Sequence, residues 1–172
     1  MSASYRALSQ AGVLPSAAVK DITVNYEKSA AELAQQLFGH NVSDEELAAA
    51  VGALDGSTLE VSVRMKGQEL HVEVLHPPVQ EQRRGFRRDH HGELYLWNHR
   101  LEKGPGVPGG FGIKVFMRQV AGARKLRVRR IELWAAGNVR DSDHNGYYLR
   151  ARFGFDAPLS QRDRQLLPLE LL

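Results

Sequence analysis

Cysteine is absent from this chain, which excludes disulfides and thiolate zinc sites and leaves the redox compartment unmarked. No apolar run approaches the roughly 20 residues that a membrane helix requires. The opening MSASYRALSQAG also lacks the basic stretch and apolar core of a secretory leader. A soluble cytoplasmic protein without membrane association is the expectation. Neither sign of charge dominates, because the formal charge is only +3 over 172 residues. Basic residues gather instead in QRRGFRR (Gln82 to Arg88) and ARKLRVRR (Ala123 to Arg130), and such local clusters point to a polyanionic ligand. Internal repeats and low-complexity segments are missing as well. What is present, 42% apolar and 25% charged residues, predicts one globular domain over 21–172 with a sizeable core, preceded by an arm over 1–20 that contains Pro15 and no clear period.

Alternation and capping signals give a coarse order of elements. DITVNYE places Ile22, Val24 and Tyr26 on one side of a short strand. Two helix starts follow with the reciprocal Ser/Glu capping pattern, Ser29 with Glu32 and Ser43 with Glu46. Leu33, Leu37 and Phe38 line the first helix, Leu47, Val51 and Leu54 the second, and Gly39 reads as the stop between them. Leu59, Val61, Val63 and Met65 alternate with polar residues, Lys66 and Gly67 turn the chain, and Leu70, Val72 and Val74 alternate again, which predicts a hairpin. Pro77 and Pro78 end it. Val79 to Gly92 then reads as a polar, arginine-rich connection of functional or mobile character, and Leu94, Leu96 and neighbouring aromatics as a third strand. The predicted order is strand, two helices, three strands, helix, strand, helix.

Gly104, Gly106, Gly109, Gly110 and Gly112 fall within nine residues, directly before a helix whose expected core face carries Ile113, Phe116, Met117 and Val120. Free amides and the dipole at such a helix start suit a pyrophosphate, and glycines let the backbone approach it. The plainer alternative is a surface loop that caps the helix. Lys114, Arg118 and Arg124 stand on or near the exposed side of this helix, where they would meet phosphates or simply be solvated. The strand ELYLWNHRL, the loop GPGVPGGFG, the run IKVFMRQVAGARKL, the strand RRIELWAAG and the close NGYYLRARFGFD together resemble the heart of the GCN5-related N-acetyltransferase superfamily. NGYY followed by GFD resembles, more narrowly, a bacterial acetyltransferase-like subgroup.

The resemblance implies an α/β (α+β) fold over roughly residues 20 to 156, a central mixed, mostly antiparallel sheet flanked by helices. It implies acetyl-CoA or another acyl-CoA as cosubstrate and an amine as acceptor, acylated by direct attack on the thioester. The cofactor-binding positions it implies are Val107, Gly109, Gly110, Phe111, Gly112, Ile113 and Lys114; Val107 stands where the superfamily has Gln or Arg. Arg150 stands where its thiolate-protonating tyrosine is found. Tyr147, three residues earlier, would share a helix face with Arg150, whereas Tyr148 is rotated away by about 100°. Tyr147 is thus the better substitute acid and Tyr148 the next, the competing account being core aromatics. Seventeen residues remain after Phe155, and APLSQRDRQLLPLELL reads as a turn and a short helix in place of the superfamily's usual final strand pair. That leaves an abbreviated sheet, completion by a partner such as a second copy, or one domain of a longer chain.

Deprotonating an amine needs a carboxylate, a histidine or a water chain near the central strand, and Glu93 and His99 are the candidates there. Asn98 would orient a substrate if it faced the cofactor. Asp141, Asp143, Asn145 and Gly146 reproduce half of a calcium loop, but Arg152 occupies the position that needs a bidentate Glu, so an aspartate-rich turn is expected. His90 and His91 would point apart on an extended chain, and no metal is expected. Phe86 among Arg83, Arg84, Arg87 and Arg88 has the composition of a nucleic-acid grip, although a solvated loop accounts for it more simply and nucleic acid is not the expected partner. The second function class is a non-catalytic module on the same fold, binding a protein, a nucleic acid or a CoA-like ligand.

Overall fold

The valine-rich hairpin forms where alternation places it. β2 (Thr58–Arg64) pairs antiparallel with β3 (Glu69–Leu75), matching Leu59 with Val74, Val61 with Val72 and Val63 with Leu70. The turn between them is a short 3₁₀ segment, Met65–Gly67, in which Met65 and Lys66 take φ of 53° and 55°. β1 (Thr23–Tyr26) lies parallel to β2. The computed structural model describes residues 19–77, 79–107 and 111–133, all within one compact unit of the chain. Most of the arm over 1–20, and every residue after 133, lie outside these.

Between β1 and β2 run α1 (Ala30–Phe38) and α2 (Asp44–Val51). The capping box at Ser43 forms in full: its Oγ accepts from the Glu46 amide at 3.2 Å, and the Glu46 carboxylate accepts from the Ser43 amide at 3.0 Å. The one expected at Ser29 does not. Ser29 has helical angles and no side-chain bond, and the Ala30 amide donates to the Glu27 carbonyl instead. Gly39 closes α1 in the left-handed conformation.

The expected connection from Val79 is a strand. β4 (Val79–Arg88) pairs with β3 on one side and with β5 (Leu94–Lys103) on the other, so four strands, not three, lie between the second and third helices. The polar side chains from Glu81 to Arg84, with Arg87 and Arg88, are tolerated because each finds a partner. Toward the helices, Gln82 donates to the Val51 carbonyl, Arg84 to the Arg100 carbonyl and Arg88 to the Leu37 carbonyl. Phe86 is fully buried beside them, its ring 5.2 Å from that of Phe38. On the other face Arg83 pairs with Glu73 and Glu81, and Arg87 with Glu69. The arginine cluster is therefore split across two faces of a central strand.

α3 (Phe111–Lys125) follows β5 and leads to β6 (Arg130–Leu133), parallel to β5. Among the described residues the result is a six-stranded, mixed, mostly antiparallel sheet in the order β1 to β6, with the described helices on one face. That is the expected fold class. The buried face of α3 is shifted from expectation: it carries Phe111, Val115, Gln119, Gly122 and Ala123, while Ile113 is half exposed. Gly122 explains the shift, because a Cβ there would fall 2.3 Å from the Ala49 carbonyl carbon and 2.4 Å from the Ala50 nitrogen. α3 thus crosses the alanine stretch of α2 backbone to backbone, and its contact face is centred on a glycine that no hydrophobic count would select.

Candidate active site

The face of the sheet opposite the described helices carries a buried polar cluster. Register places His71 of β3 opposite Gly85 of β4, and Gly85 opposite Trp97 of β5. β5 then bulges: Arg84 pairs with Asn98 but Arg83 with Arg100, leaving His99 as the extra residue. His99 lies on the same face as Trp97, and its ring reaches Glu69. His99 Nε2 is 3.0 Å and His71 Nδ1 3.4 Å from the same Glu69 oxygen, Oε1, while Arg87 Nε donates to Oε2 at 2.6 Å. The Glu69 side chain is 2% exposed, that of His71 11% and that of His99 30%. Gly85 makes the convergence possible, since a Cβ there would stand 2.6 Å from the Glu69 carboxyl carbon and 2.9 Å from His99 Nε2.

The protonation states follow from this packing. Burial is the largest influence on His99 and lowers its pKa below the ordinary histidine value, against the upward pull of Glu69. Burial pushes the Glu69 carboxyl upward, but the His71 hydrogen bond and the charges of His99 and Arg87 outweigh it and hold it below the usual carboxylate value. With His99 neutral at neutral pH, the His71 hydrogen bond and the Arg87 charge keep Glu69 ionised. An ionised carboxylate only accepts, so it fixes the Nε2–H tautomer of His99 and leaves Nδ1 as the basic atom.

On the helix face, beside the bulge, the Arg100 carbonyl takes a hydrogen bond from Arg84 at 2.6 Å. Arg84 is 2% exposed, its Nε has no partner among the described residues, and burial drives its pKa down to about 9. Asn98 exchanges two amide hydrogen bonds with the buried Gln119 of α3, at 3.0 and 2.7 Å. It therefore locks α3 onto β5 and does not face an open site.

Of the glycine-loop residues, Val107 is half buried, Phe111 opens α3 with its ring in the core, and Ile113 and Lys114 are exposed. Gly109 and Gly110 lie outside the described residues. A Cβ at Gly112 would meet nothing within 4 Å, so packing does not call for a glycine there. Arg118 is tethered to the Ala53 carbonyl and Asp55. Glu93 sits before β5 in an ion pair with Arg129 at 3.3 Å; the six residues that separate it from His99 span about 20 Å of strand, so the structure does not bring the two together. Glu93, Arg88, Arg127 and Arg129 line a cavity of about 590 Å³ at that end of the sheet. His90 and His91, expected to point apart, sit in a turn with ring centroids 3.8 Å apart. Tyr147, Tyr148, Arg150 and the aspartate-rich turn lie outside the described residues. Sequence reading named His99, and Arg87 only as one of a basic cluster, but missed Glu69 and His71; the signal was Glu69-x-His71 on the polar side of the hairpin, where alternation puts both on one face.

No family model matches the chain, and no curated protein matches it. Among solved structures it is similar to an acetyltransferase of Trypanosoma brucei, at 14% identity and a TM-score of 0.36 over 78% of this chain and 92% of that one. It is also similar to an integron cassette protein from the mobile metagenome of V. cholerae, at 12% identity and a TM-score of 0.36 over 77% and 76% of the two chains. Likeness of this degree says nothing about activity. Among the described residues no helix is long and apolar enough to cross a membrane.

Proposed function

We propose that the chain is an acyltransferase-like protein that binds acetyl-CoA or a related acyl-CoA, with the pyrophosphate on main-chain amides of Gly109 to Ile113, and transfers the acyl group to an amine. The observation that carries this reading is the unit formed by β5, the glycine loop, α3 and the parallel β6, in which the first turn of a 15-residue helix follows the loop. Its leading amides have no partner within the helix, and the space around Gly112 is open. The sequence resemblance assigns the same unit to acyl-CoA.

In the proposed reaction the amine nitrogen attacks the thioester carbonyl carbon, its proton passes to His99 Nδ1, the C–S bond breaks, and the thiolate takes a proton from Tyr147 or, next to it, Tyr148. Arg150 would ease the nearby negative charge. Glu69 would hold the His99 ring and its tautomer, a positioning role. His99 is preferred to Glu93 as the proton acceptor because the Glu69 hydrogen bond orients it. Calorimetric titration with acetyl-CoA and with CoA tests the binding half: both should bind, and Gly110→Val should weaken both strongly. Normal binding by that variant would show that the loop is misassigned. Binding without turnover across a panel of primary amines would favour the non-catalytic module.

A further inference from the structure

Glu69, His71 and His99 offer one ligand atom each, all within 4.8 Å of one another. Two imidazoles and a carboxylate, set on two strands of one sheet, form an N₂O donor set, and zinc accepts such a set in sites that keep a fourth position open. Ligands at zinc bond lengths of about 2.0 to 2.2 Å in tetrahedral geometry stand about 3.3 to 3.5 Å from each other. Here the two nitrogen-to-oxygen separations are 3.0 and 3.4 Å. Each histidine thus already stands at metal-ligand spacing from one carboxylate oxygen, and the two ring nitrogens lie within 4.8 Å of each other.

The surroundings fit the same reading. Arg87 holds the other oxygen, Oε2, at 2.6 Å, and an outer hydrogen bond of this kind fixes a ligating carboxylate. Its charge opposes a cation, and only one carboxylate oxygen is left, which disfavours calcium and magnesium and selects an ion that accepts imidazole. Gly85 lies beneath the cluster where any side chain would collide with it. His99, at the more exposed edge, leaves room for a water or another donor.

We propose that Glu69, His71 and His99 form a binding site for a divalent transition-metal ion, zinc foremost, with Arg87 as the outer partner of Glu69. Zinc on His99 Nε2 would place the remaining ring proton on Nδ1 and remove the lone pair assigned to the amine. Zinc would then inhibit transfer and spare acyl-CoA binding; this consequence rests on the acyltransferase reading, whereas the site itself does not.

The test is titration of the metal-free chain with zinc in the absence of CoA, by calorimetry against a competing chelator, and with cobalt(II) read by its visible absorption. One ion per chain is expected, with the intense visible bands of four- or five-coordinate cobalt. His99→Ala should reduce affinity by roughly a hundredfold or more, since loss of even an outer partner costs ten- to a hundredfold. A variant with both His90 and His91 replaced by alanine should bind as the parent does. If His71→Ala fails to fold, His99→Ala, at the exposed edge of the site, carries the test alone. Failure to take up zinc stoichiometrically, uptake that survives His99→Ala, or uptake lost with His90 and His91 would each overturn the proposal. Zinc uptake without inhibition would leave the site standing and refute only the role of His99 in transfer.

Discussion

Gly122→Ala separates the account of α3 from a simple propensity argument. In an exposed helix interior the change from glycine to alanine stabilises by about 1 kcal/mol. Here the new Cβ falls 2.3 Å from the Ala49 carbonyl carbon, 2.4 Å from the Ala50 nitrogen and 2.7 Å from the Ala49 oxygen. These are main-chain atoms of a packed helix and cannot swing away. Restoring contacts of about 3.5 to 4.0 Å requires α2 and α3 to part by more than about 1 Å, loosening Val115, Gln119 and Ala123 together. Overpacking of this kind costs about 1 to 3 kcal/mol, and more where backbone must shift. Set against the propensity gain, the expected net loss is about 2 kcal/mol, or roughly 4 to 8 °C in Tm for a chain of this length. Thermal and urea unfolding followed by circular dichroism measure it. A Gly122→Ala protein as stable as the parent would refute the close crossing. Gly112→Ala is the contrast: with nothing within 4 Å of its Cβ, it should leave stability equal or raised by up to about 1 kcal/mol.

Three further outcomes follow from particular contacts. Ser43→Ala should cost about 1 kcal/mol through loss of the capping box, whereas Ser29→Ala, which removes no side-chain cap, should fall within about 0.5 kcal/mol of the parent; equal effects in urea unfolding would contradict the difference. Asp89, bonded by Arg130 and by the amides of Glu93 and His91, has its pKa lowered to about 2. A depressed carboxylate pKa stabilises above the ordinary carboxylate range and loses that contribution as pH falls toward 2, so carboxyl NMR should find Asp89 still ionised at pH 3, and a midpoint near 4 would refute the pairing. In a measurable transfer reaction Tyr147→Phe should lower turnover about tenfold or more and Tyr148→Phe less; equal, mild effects together with lowered Tm would mark both rings as packing.

The hairpin, both helix starts as positions, and the strand–loop–helix–strand unit were legible because each carries a local period or a capping pattern. β4 was not, because pairing on both sides is a property of its neighbours. Its arginines looked like a loop until Val51, Arg100 and Leu37 supplied carbonyls for Gln82, Arg84 and Arg88. The face of α3 was misphased because two of its inward positions are Gln119 and Gly122, one satisfied by Asn98 and the other required by backbone contact. In the candidate site, His99 was visible as a strand histidine, but its partner comes from β3, thirty residues earlier. Alternation along β5 puts His99 on the face of Trp97, but which residues of β3 share that face depends on strand pairing, which leaves no local signature.

The most direct test of acyl-CoA binding at the start of α3 is an amide-resolved ¹⁵N NMR titration of the chain with acetyl-CoA. The account predicts that the largest saturable shifts fall on the amides of Gly109 to Ile113. Shifts centred instead on the basic cavity around Arg88, Arg127 and Arg129, or no saturable shifts at all, would contradict it.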